Sequence, residues 1–142
     1  MVRHIFFLIF IIFFTRTFSQ DIFEHIYDKG RLVLIKDSMV VFGMITFIRP
    51  EIDGDYHIRL RMSSDCDNLL CRKNFTYQDS SLILEIVCGK GSIFTICNGY
   101  KNLIPLPKIG TFVMVMGAYV FDKRHKWNEI HPVYSIKKLP TF

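Results

Sequence analysis

The chain has 142 residues, of which 50% are hydrophobic and 22% are charged, with 18 lysines and arginines against 13 aspartates and glutamates. This composition excludes a disordered chain, and the length favours a single globular domain. No apolar run reaches the roughly 20 residues that a spanning helix needs, so the sequence also excludes a multi-pass membrane protein.

The first 19 residues predict a secretory signal peptide. A basic start that contains Arg3 leads into ten apolar residues, 5–14, and the small polar residues Thr17 and Ser19 lie just before the expected cleavage site. The alternative is an uncleaved membrane anchor, but ten helical residues span only about 15 Å, half of the hydrocarbon core. We therefore expect a secreted or otherwise exported protein that begins near Gln20 and has no membrane contact after cleavage.

The expected mature chain is mildly basic. Residues 1–19 contain Arg3 and Arg16 and no acidic residue, so 16 basic residues remain against 13 acidic ones, a net charge of +3. This excess permits an anionic polymer, either a nucleic acid or a glycan, as the partner. It does not demand one, because nucleic-acid binders usually have a clustered basic surface.

All four cysteines, Cys66, Cys71, Cys88 and Cys97, lie in the part expected to be exported. In an oxidising compartment an even number predicts two disulfides, and among the three connectivities we favour the local pairs Cys66–Cys71 and Cys88–Cys97. A four-cysteine zinc site is the alternative, but separations of 5, 17 and 9 residues fit zinc patterns poorly. Asn74 begins an Asn-Phe-Thr sequon, which matters only in a eukaryotic secretory pathway.

The first half of the mature chain predicts a short N-terminal element and two strands. Residues 20–30 have loosely helical spacing and form a helix or turn. Residues 32–35 and 39–48 are β-branched or aromatic runs, which predict one long strand bent at Asp37 and Ser38. Residues 56–62 alternate between apolar and polar side chains and predict a second strand with one polar face.

The second half predicts three more strands. The elements follow in this order: a polar loop at 63–80, a strand at 81–88, an irregular segment at 89–110 with one helical turn near 93–97, a strand at 111–121, a charged turn at 122–126 and a last strand at 127–136. Pro132 in the last strand predicts an edge or a bulge, because proline cannot donate a hydrogen bond to a neighbouring strand.

Five strands, of which the first is long and bent, with the largest irregular connection between the third and fourth, are the plan of a small OB-like barrel. We therefore predict an all-β fold with one five-stranded OB-like domain at 31–138, preceded by the signal peptide and followed by a short tail at 139–142. The alternative is another all-β sandwich of similar size.

Two strands carry polar faces, because side chains two apart lie on the same side of a strand. If Ile58 and Ile130 point into the barrel, both polar faces point outward, and Glu85 on the third strand lies between them. We therefore predict one solvent-facing patch of carboxylates and imidazoles. With the adjoining turn residue His125, its candidate ligand-binding residues are Asp55, His57, Arg59, Glu85, His125, Trp127, Glu129 and His131.

This patch is also a candidate metal site. Imidazole and carboxylate are ordinary ligands of zinc and its neighbours, and His57, Glu129 and His131 are the candidate ligands. Their spacing matches no established metal motif, and the alternative is a set of cross-strand polar pairs without chemistry. We expect no cofactor, with a divalent metal ion as the alternative.

Basic and aromatic side chains interleave in the turn before the last strand. In OB folds the first and fourth loops flank a groove for oligonucleotides or oligosaccharides, where aromatic rings stack and cations follow a phosphate backbone. The alternative is a solvated hairpin tip whose Trp127 covers the end of the barrel. The turn residues are Phe121, Lys123, Arg124, His125, Lys126 and Trp127.

The Asp-Gly-Asp turn at 53–55 resembles that of the staphylococcal nuclease family, calcium-dependent nucleases with an OB fold. The resemblance implies a metal-binding role for an aspartate such as Asp55. The chain departs from that family because it lacks the downstream arginine and the Pro-Glu segment after the second strand. Asp-Gly before a strand is also ordinary turn chemistry.

A second resemblance covers residues 31–136. The segments that carry it are Arg31-Leu32, Val41-Phe42-Gly43, Asp53-Gly54-Asp55-Tyr56-His57-Ile58, Leu69-Leu70, Leu84-Glu85-Ile86-Val87-Cys88, Cys97-Asn98-Gly99-Tyr100 and Trp127-Asn128-Glu129-Ile130-His131-Pro132-Val133. The chain resembles a family of small exported bacterial and archaeal proteins. It departs from the family at Cys66 and Cys71, and in having Ser38 and Met39 where a cysteine is expected. The resemblance implies one exported OB-like domain and no mechanism.

The sequence leaves three functional hypotheses. The first is a secreted, non-enzymatic binding module for an oligonucleotide or oligosaccharide. The second is a metal-dependent hydrolase, such as a nuclease, that uses Asp55 and Glu129 with one or more histidines. The third is a structural or protein-interaction domain whose polar strand faces are merely solvated.

Overall fold

The computed structural model describes residues 21–90 and 92–140. The predicted signal peptide at 1–19 and the last two residues of the predicted tail lie outside the described residues. Within the described part, no helix is long and apolar enough to cross a membrane.

The described chain is mostly β, with five strands in one sheet that closes in a ring. The strands are β1 (Leu32–Pro50), β2 (Tyr56–Arg61), β3 (Leu82–Ile86), β4 (Phe112–Asp122) and β5 (Trp127–Lys138). Their order around the ring is β1-β2-β3-β5-β4. All neighbours pair antiparallel except β3 and β5, which are parallel. The prediction that the third strand lies between the second and the fifth is confirmed.

The first strand is bent where the sequence predicts it. Its pairing with β4 shifts register between Leu34 and Lys36 and again between Lys36 and Met39. The second shift contains Asp37 and Ser38, as expected for a bulge in one long strand, and the first lies just before it. The bend lets β1 pair with both β2 and β4, which closes the ring.

The helices of the described residues are short. Residues 21–90 and 92–140 contain three 3-10 helices, at Lys29–Arg31, Ser64–Leu69 and Thr95–Cys97, and one α-helix, α1, at Arg72–Tyr77. The prediction of a plain polar loop at 63–80 is therefore wrong. A six-residue helix with exposed Phe75 and Tyr77 gives no hydrophobic period from which it could be predicted.

The core has an inner and an outer part. Inside the ring, Ile58, Leu84 and Ile130 have no exposed surface. Outside it, a smaller cluster that includes Ile26 and Val120 packs the N-terminal turn onto β4. This outer cluster explains why the sequence of β4 is apolar on both faces.

A bulge in β5 shapes the region around His131. Gly117 pairs with Val133 and Tyr119 with Ile130, so β5 has one residue more than β4 at this point. A Cβ on Gly117 would lie 2.3 Å from Ile130 Cγ2 and 2.4 Å from the Pro132 carbonyl oxygen, so only glycine fits. The bulge predicted from Pro132 is confirmed, and the His131–Pro132 peptide bond is cis.

One of the two predicted disulfides is present. Cys88 and Cys97 are bonded, whereas Cys66 and Cys71 are free thiols, so the predicted Cys66–Cys71 disulfide is wrong. The Cys71 thiol instead lies 3.2 Å from Asn74 Oδ1 and 3.2 Å from the Lys126 carbonyl oxygen. A four-cysteine zinc site does not form, because two of its thiols are used in the disulfide.

Asn74 fastens α1 to the sheet and is not a glycosylation site in this fold. It has no exposed surface, and its Nδ2 donates to the carbonyl oxygens of Ser81 (3.0 Å) and Asn128 (2.9 Å). Its Oδ1 accepts from the backbone N–H groups of Cys71 (3.1 Å) and Asn128 (2.9 Å). A glycan would require these contacts to break, so the folded chain does not accept one.

Candidate functional site

The polar strand faces point away from the barrel interior, as predicted, but they are not exposed. His57 lies opposite Glu85 in the β2–β3 register, and Ile83 of β3 lies beside Glu129 of β5. His57 is only 5% exposed and His131 is fully buried. The prediction of a solvent-facing patch is therefore wrong, because segments distant in the sequence cover the outer face of the sheet.

Five of the eight candidate residues form one buried group, here called the carboxylate–imidazole cluster. Its members are Asp55, His57, Glu85, Glu129 and His131, each at most 7% exposed. The geometric assumption that β2 and β5 bring their histidines to a common region is met, since β3 joins the two strands. Arg59, His125 and Trp127 lie around this cluster and are more exposed.

The His57–Glu85 pair has a defined proton arrangement. His57 Nδ1 lies 2.8 Å from Glu85 Oε1, and His57 Nε2 lies 3.3 Å from Gln78 Oε1, which also accepts from Arg59 Nε at 3.0 Å. Gln78 Oε1 is an acceptor, so His57 Nε2 carries a hydrogen and the Nδ1 of a neutral ring accepts. Glu85 Oε1 then carries the proton that lies between the two side chains.

Burial favours this uncharged form of the pair. Desolvation lowers the pKa of His57. Burial, together with the nearby carboxylates of Glu129 and Asp55, raises the pKa of Glu85 well above the usual value. The other oxygen of Glu85, Oε2, is buried and has no hydrogen-bond partner among the described residues.

The His131–Glu129 pair is held differently. His131 Nδ1 lies 2.9 Å from Glu129 Oε1, and Trp127 Nε1 donates to Glu129 Oε2 at 2.8 Å. His131 Nε2 lies 3.7 Å from Asp55 Oδ2, too far for a hydrogen bond, and is unpartnered within the described chain. Glu129 therefore has a hydrogen-bond partner on each oxygen.

Asp55 links the cluster to the β1–β2 turn. Its Oδ1 accepts from the Cys88 backbone N–H at 2.9 Å, and Gly54 before it has a φ of 97°, which favours glycine. Burial raises the pKa of Asp55 to about 6, against the opposing effects of His131 and the Cys88 hydrogen bond. This carboxyl group therefore changes charge near neutral pH.

The sequence did not indicate Arg31, Asp122 or Gln78. Arg31 Nη1 donates to Asp122 Oδ2 and lies 3.8 Å from Glu129 Oε1. Burial opposes the charge of Arg31, but Glu129, Asp122 and Glu85 outweigh it and raise the pKa of this guanidinium. The one available signal was that Asp122 begins a turn, where its Oδ1 accepts from the N–H groups of Arg124 and His125.

Asp122 is a charged anchor of the β4–β5 turn. Its side chain is fully buried, and burial alone would raise its pKa. Hydrogen bonds from His125 and the charge of Arg31 instead hold the pKa of Asp122 far below its ordinary value. Asp122 therefore holds the turn that carries Arg124 and His125 against the buried part of the site, where Arg31 lies.

Two adjoining cavities open over the cluster. The acidic pocket, of about 220 Å³, contains four carboxyl groups and three arginines. Its titratable lining residues, apart from Tyr27, are Arg31, Arg49, Glu51, Asp53, Asp55, His57, Glu85, Arg124 and His125. The acidic pocket lies between the β1–β2 turn and the β4–β5 turn.

The cationic groove, of about 460 Å³, is different in character. Its lining has four cations and three aromatic rings, and among the described residues it includes no carboxylate. The Arg59 guanidinium carbon lies 4.8 Å from the Phe47 ring centre, and Lys73 Nζ lies 4.1 Å from that of Tyr77. The lining residues are Phe47, Arg49, His57, Arg59, Lys73, Tyr77, Gln78, Arg124, His125 and Trp127.

The two cavities share Arg49, His57, Arg124, His125 and Trp127 and so form one continuous surface. The rings of His125 and Trp127 stack, with centres 4.4 Å apart. Of the predicted basic and aromatic turn, the structure brings Arg124, His125 and Trp127 to this surface.

The candidate metal ligands do not assemble. In residues 21–90 and 92–140 no group of three or more His, Cys, Asp or Glu side chains is placed to hold a metal ion. Both ring nitrogens of His57 are occupied by Glu85 and Gln78, and both oxygens of Glu129 are occupied by Trp127 and His131.

The surface combines two kinds of chemistry. The cationic groove is suited to a polyanion that carries flat rings, and the acidic pocket presents carboxyl groups of unequal proton affinity, which is a property of acid–base sites. Comparison of the chain with protein-family models, curated proteins and solved structures found no match.

Proposed function

We propose that the protein is an exported OB-like module that binds single-stranded nucleic acid in the cationic groove. The observation that carries the proposal is the lining of that groove, where four cations and three aromatic rings meet without a carboxylate. Cations follow a phosphate backbone, and aromatic rings stack on unpaired bases.

The topology supports the OB-like assignment. The ring order β1-β2-β3-β5-β4, the long bent β1 and the parallel β3–β5 contact agree with that plan. The groove and pocket lie beside the β1–β2 and β4–β5 turns, which flank the ligand in OB folds.

Export is supported by the signal-peptide pattern of residues 1–19 and by the Cys88–Cys97 disulfide. Disulfides persist in oxidising compartments and are rare in the cytosol. Mass spectrometry of the protein from culture medium checks this part of the proposal, with an N-terminus near Gln20 as the expected result.

Lys73 and Arg124 are the best residues for testing the groove. Lys73 Nζ lies 4.1 Å from the centre of the Tyr77 ring, and Arg124 forms a 3.4 Å pair with Asp28 while its side chain is 63% exposed. Pairs at such exposure contribute little to stability, so both cations can be removed without unfolding the chain. Lys137 and Lys138 lie outside the groove, are exposed and offer a control of equal charge.

The test is a titration of the mature protein with a 12-residue oligodeoxythymidylate, followed by the fluorescence of Trp127, the only tryptophan in the sequence. We expect quenching on binding and affinity that falls steeply with salt. The double variant Lys73→Met/Arg124→Met should lower the slope of log affinity against log salt by about 1.4, at roughly 0.7 per phosphate contact on a single strand.

The control variant Lys137→Met/Lys138→Met should keep the wild-type slope. Equal losses in both variants would mean that net charge and not the groove attracts the ligand, and the proposal would fail. An acidic oligosaccharide, such as oligogalacturonate, that binds more tightly than the oligonucleotide would also overturn it and assign the groove to glycans.

A further inference from the structure

We propose that the acidic pocket cleaves RNA without a metal ion, with Asp55 as general base and Glu85 as general acid. The inference rests on the proposed function, since the cationic groove must hold the strand. It adds an activity and a substrate class, because only RNA carries the nucleophile that this chemistry needs.

The continuity of the two cavities positions the substrate. Arg49, Arg124 and Trp127 line both cavities, so a strand that lies in the groove meets the pocket at these residues. Arg49 and Arg124 are paired with the partly exposed carboxylates of Glu51 and Asp28, at 2.6 and 3.4 Å. Such pairs are weak in water, so a phosphate can replace either carboxylate.

Glu85 has the features of a proton donor. It lines the pocket, is only 7% exposed, and its Oε2 has no partner in the described chain. The hydrogen-bond sequence from Arg59 through Gln78 and His57 requires a proton between His57 Nδ1 and Glu85 Oε1. His57 thus positions Glu85 and supplies a second location for the same proton.

Asp55 has the features of a proton acceptor in the same pocket. Its Oδ1 is held by the Cys88 N–H, and Oδ2 accepts no hydrogen bond among the described residues and lies 3.7 Å from His131 Nε2. The pKa of Asp55 of about 6 makes it mainly ionised at pH 7, whereas burial raises the pKa of Glu85 well above its usual value and its Oε1 shares a proton with His57 Nδ1. Two carboxyl groups with separated proton affinities are the arrangement that general acid–base catalysis uses.

The reaction balances without a further reactant. Asp55 accepts the proton of a ribose 2′-hydroxyl, and the 2′-oxygen forms a bond to the adjacent phosphorus. The bond from phosphorus to the 5′-oxygen breaks, and Glu85 gives that oxygen a proton. The products are a 2′,3′-cyclic phosphate and a 5′-hydroxyl, and the cations of Arg49 and Arg124 stabilise the added charge on the phosphorane.

The test uses the mature protein in a chelating buffer with two labelled 12-residue strands, oligouridylate and oligodeoxythymidylate. We expect binding of both strands, and cleavage of the RNA alone to products that end in 2′,3′-cyclic phosphate. Glu85→Gln and Asp55→Asn should each slow cleavage by at least about 100-fold, the usual contribution of a general acid or base. Both variants should still bind the DNA strand, which shows that they are folded.

Lys137→Met, purified in the same way, is the control for an exposed residue and should cleave at the wild-type rate. A contaminating ribonuclease would cleave equally in every preparation, so the loss expected in Glu85→Gln and Asp55→Asn excludes it. Intact RNA on a protein that binds both strands would overturn this inference and leave the proposed function standing. Unchanged cleavage by Glu85→Gln, or cleavage lost on chelation, would also overturn it. A protein that binds neither strand would instead refute the proposed function and this inference together.

Discussion

The pairs His57–Glu85 and His131–Glu129 each join a histidine Nδ1 to a glutamate Oε1, at 2.8 and 2.9 Å. Both glutamates are nearly or fully buried. Their other neighbours differ. Glu129 accepts from Trp127 and lies 3.8 Å from the Arg31 guanidinium, whereas Glu85 Oε2 has no partner within the described residues.

The two glutamates therefore differ in their hydrogen-bond partners and charged neighbours, although both are buried. A buried carboxylate is tolerated where hydrogen bonds and a cation compensate it, as at Glu129. Glu85 has only the hydrogen bond with His57, and burial together with the charges of Glu129 and Asp55 raises its pKa against the opposing charge of Arg31. The His131–Glu129 pair is held by several partners, whereas the His57–Glu85 pair shares one proton beside the acidic pocket.

The largest predicted effect compares one substitution at both glutamates. Glu129→Gln removes the charge that faces Arg31 and replaces one acceptor with a donor, so we expect the free energy of unfolding to fall by about 2–4 kcal/mol. Glu85→Gln retains a donor to His57 Nδ1 and removes no charge, so we expect a change within about 1 kcal/mol. Urea unfolding at pH 7, followed by circular dichroism, measures both.

Each variant serves as the control of the other, because the substitution and the depth of burial are nearly the same. Equal destabilisation by the two variants would show that Glu85 is ionised in the folded protein. The distinction between the two pairs would then be wrong.

The next effect concerns Asp55, which lies between the two pairs and has a folded-state pKa raised from 3.8 to about 6. A raised acid pKa means that wild-type stability is lost as pH rises from about 4 through 6. The asparagine of Asp55→Asn does not ionise, so this variant does not lose that stability as the pH rises. Its amide oxygen keeps the acceptor for the Cys88 N–H, and its amide nitrogen places a donor near His131 Nε2. We therefore expect this variant to be more stable than wild type by about 2–3 kcal/mol at pH 7.5.

At pH 3.5 the advantage of Asp55→Asn should shrink to less than about 1 kcal/mol, because Asp55 is then protonated in both states. His131, Asp53 and Arg31 also act on Asp55, so the comparison uses unfolding curves of both proteins in the same buffers. An advantage that is independent of pH would mean that the buried charge is not its source.

The sequence predicted the faces of the strands but not their burial. Alternation in β2 and β5 places His57 and Glu129 away from Ile58 and Ile130, and a period of two suffices for that. Burial depends on what lies over the sheet. Gln78, which covers His57, follows a helix too short to be predicted. Tyr27, from the segment before the first strand, lines the acidic pocket.

Contacts between residues far apart in the sequence also could not be predicted. Arg31 and Asp122 are separated by 91 positions, and no local pattern indicates that they meet. The cysteines show the same limit of sequence-based prediction. The short sequence separation within each local pair favoured two disulfides, but only Cys88–Cys97 is bonded. The number of residues between two cysteines limits the entropic cost of closing the loop between them. Whether a disulfide forms also depends on the directions of the two side chains, which the neighbouring residues in the folded protein set.

The smallest predicted effect separates two roles of Trp127. Its Nε1 donates to Glu129 Oε2 at 2.8 Å, and its ring lines the groove and stacks on His125. Trp127→Phe removes the donor and keeps an aromatic ring, so we expect a loss of about 1–2 kcal/mol in the free energy of unfolding, measured by circular dichroism. Oligonucleotide affinity, measured by the fluorescence anisotropy of a labelled strand because the variant has no tryptophan, should change by less than about threefold, since a phenyl ring still stacks.

Trp127→Ala removes both roles and should in addition weaken oligonucleotide binding by about 10-fold, the lower range for loss of one stacking ring. If Trp127→Phe were as stable as wild type, the indole hydrogen bond would not be among the contacts that keep Glu129 charged. The charge would then depend on Arg31 and His131 alone, and the contrast with Glu85 would rest on one cation. Because Trp127 contacts both the anchored pair and the open groove, this variant tests whether the two regions are energetically independent.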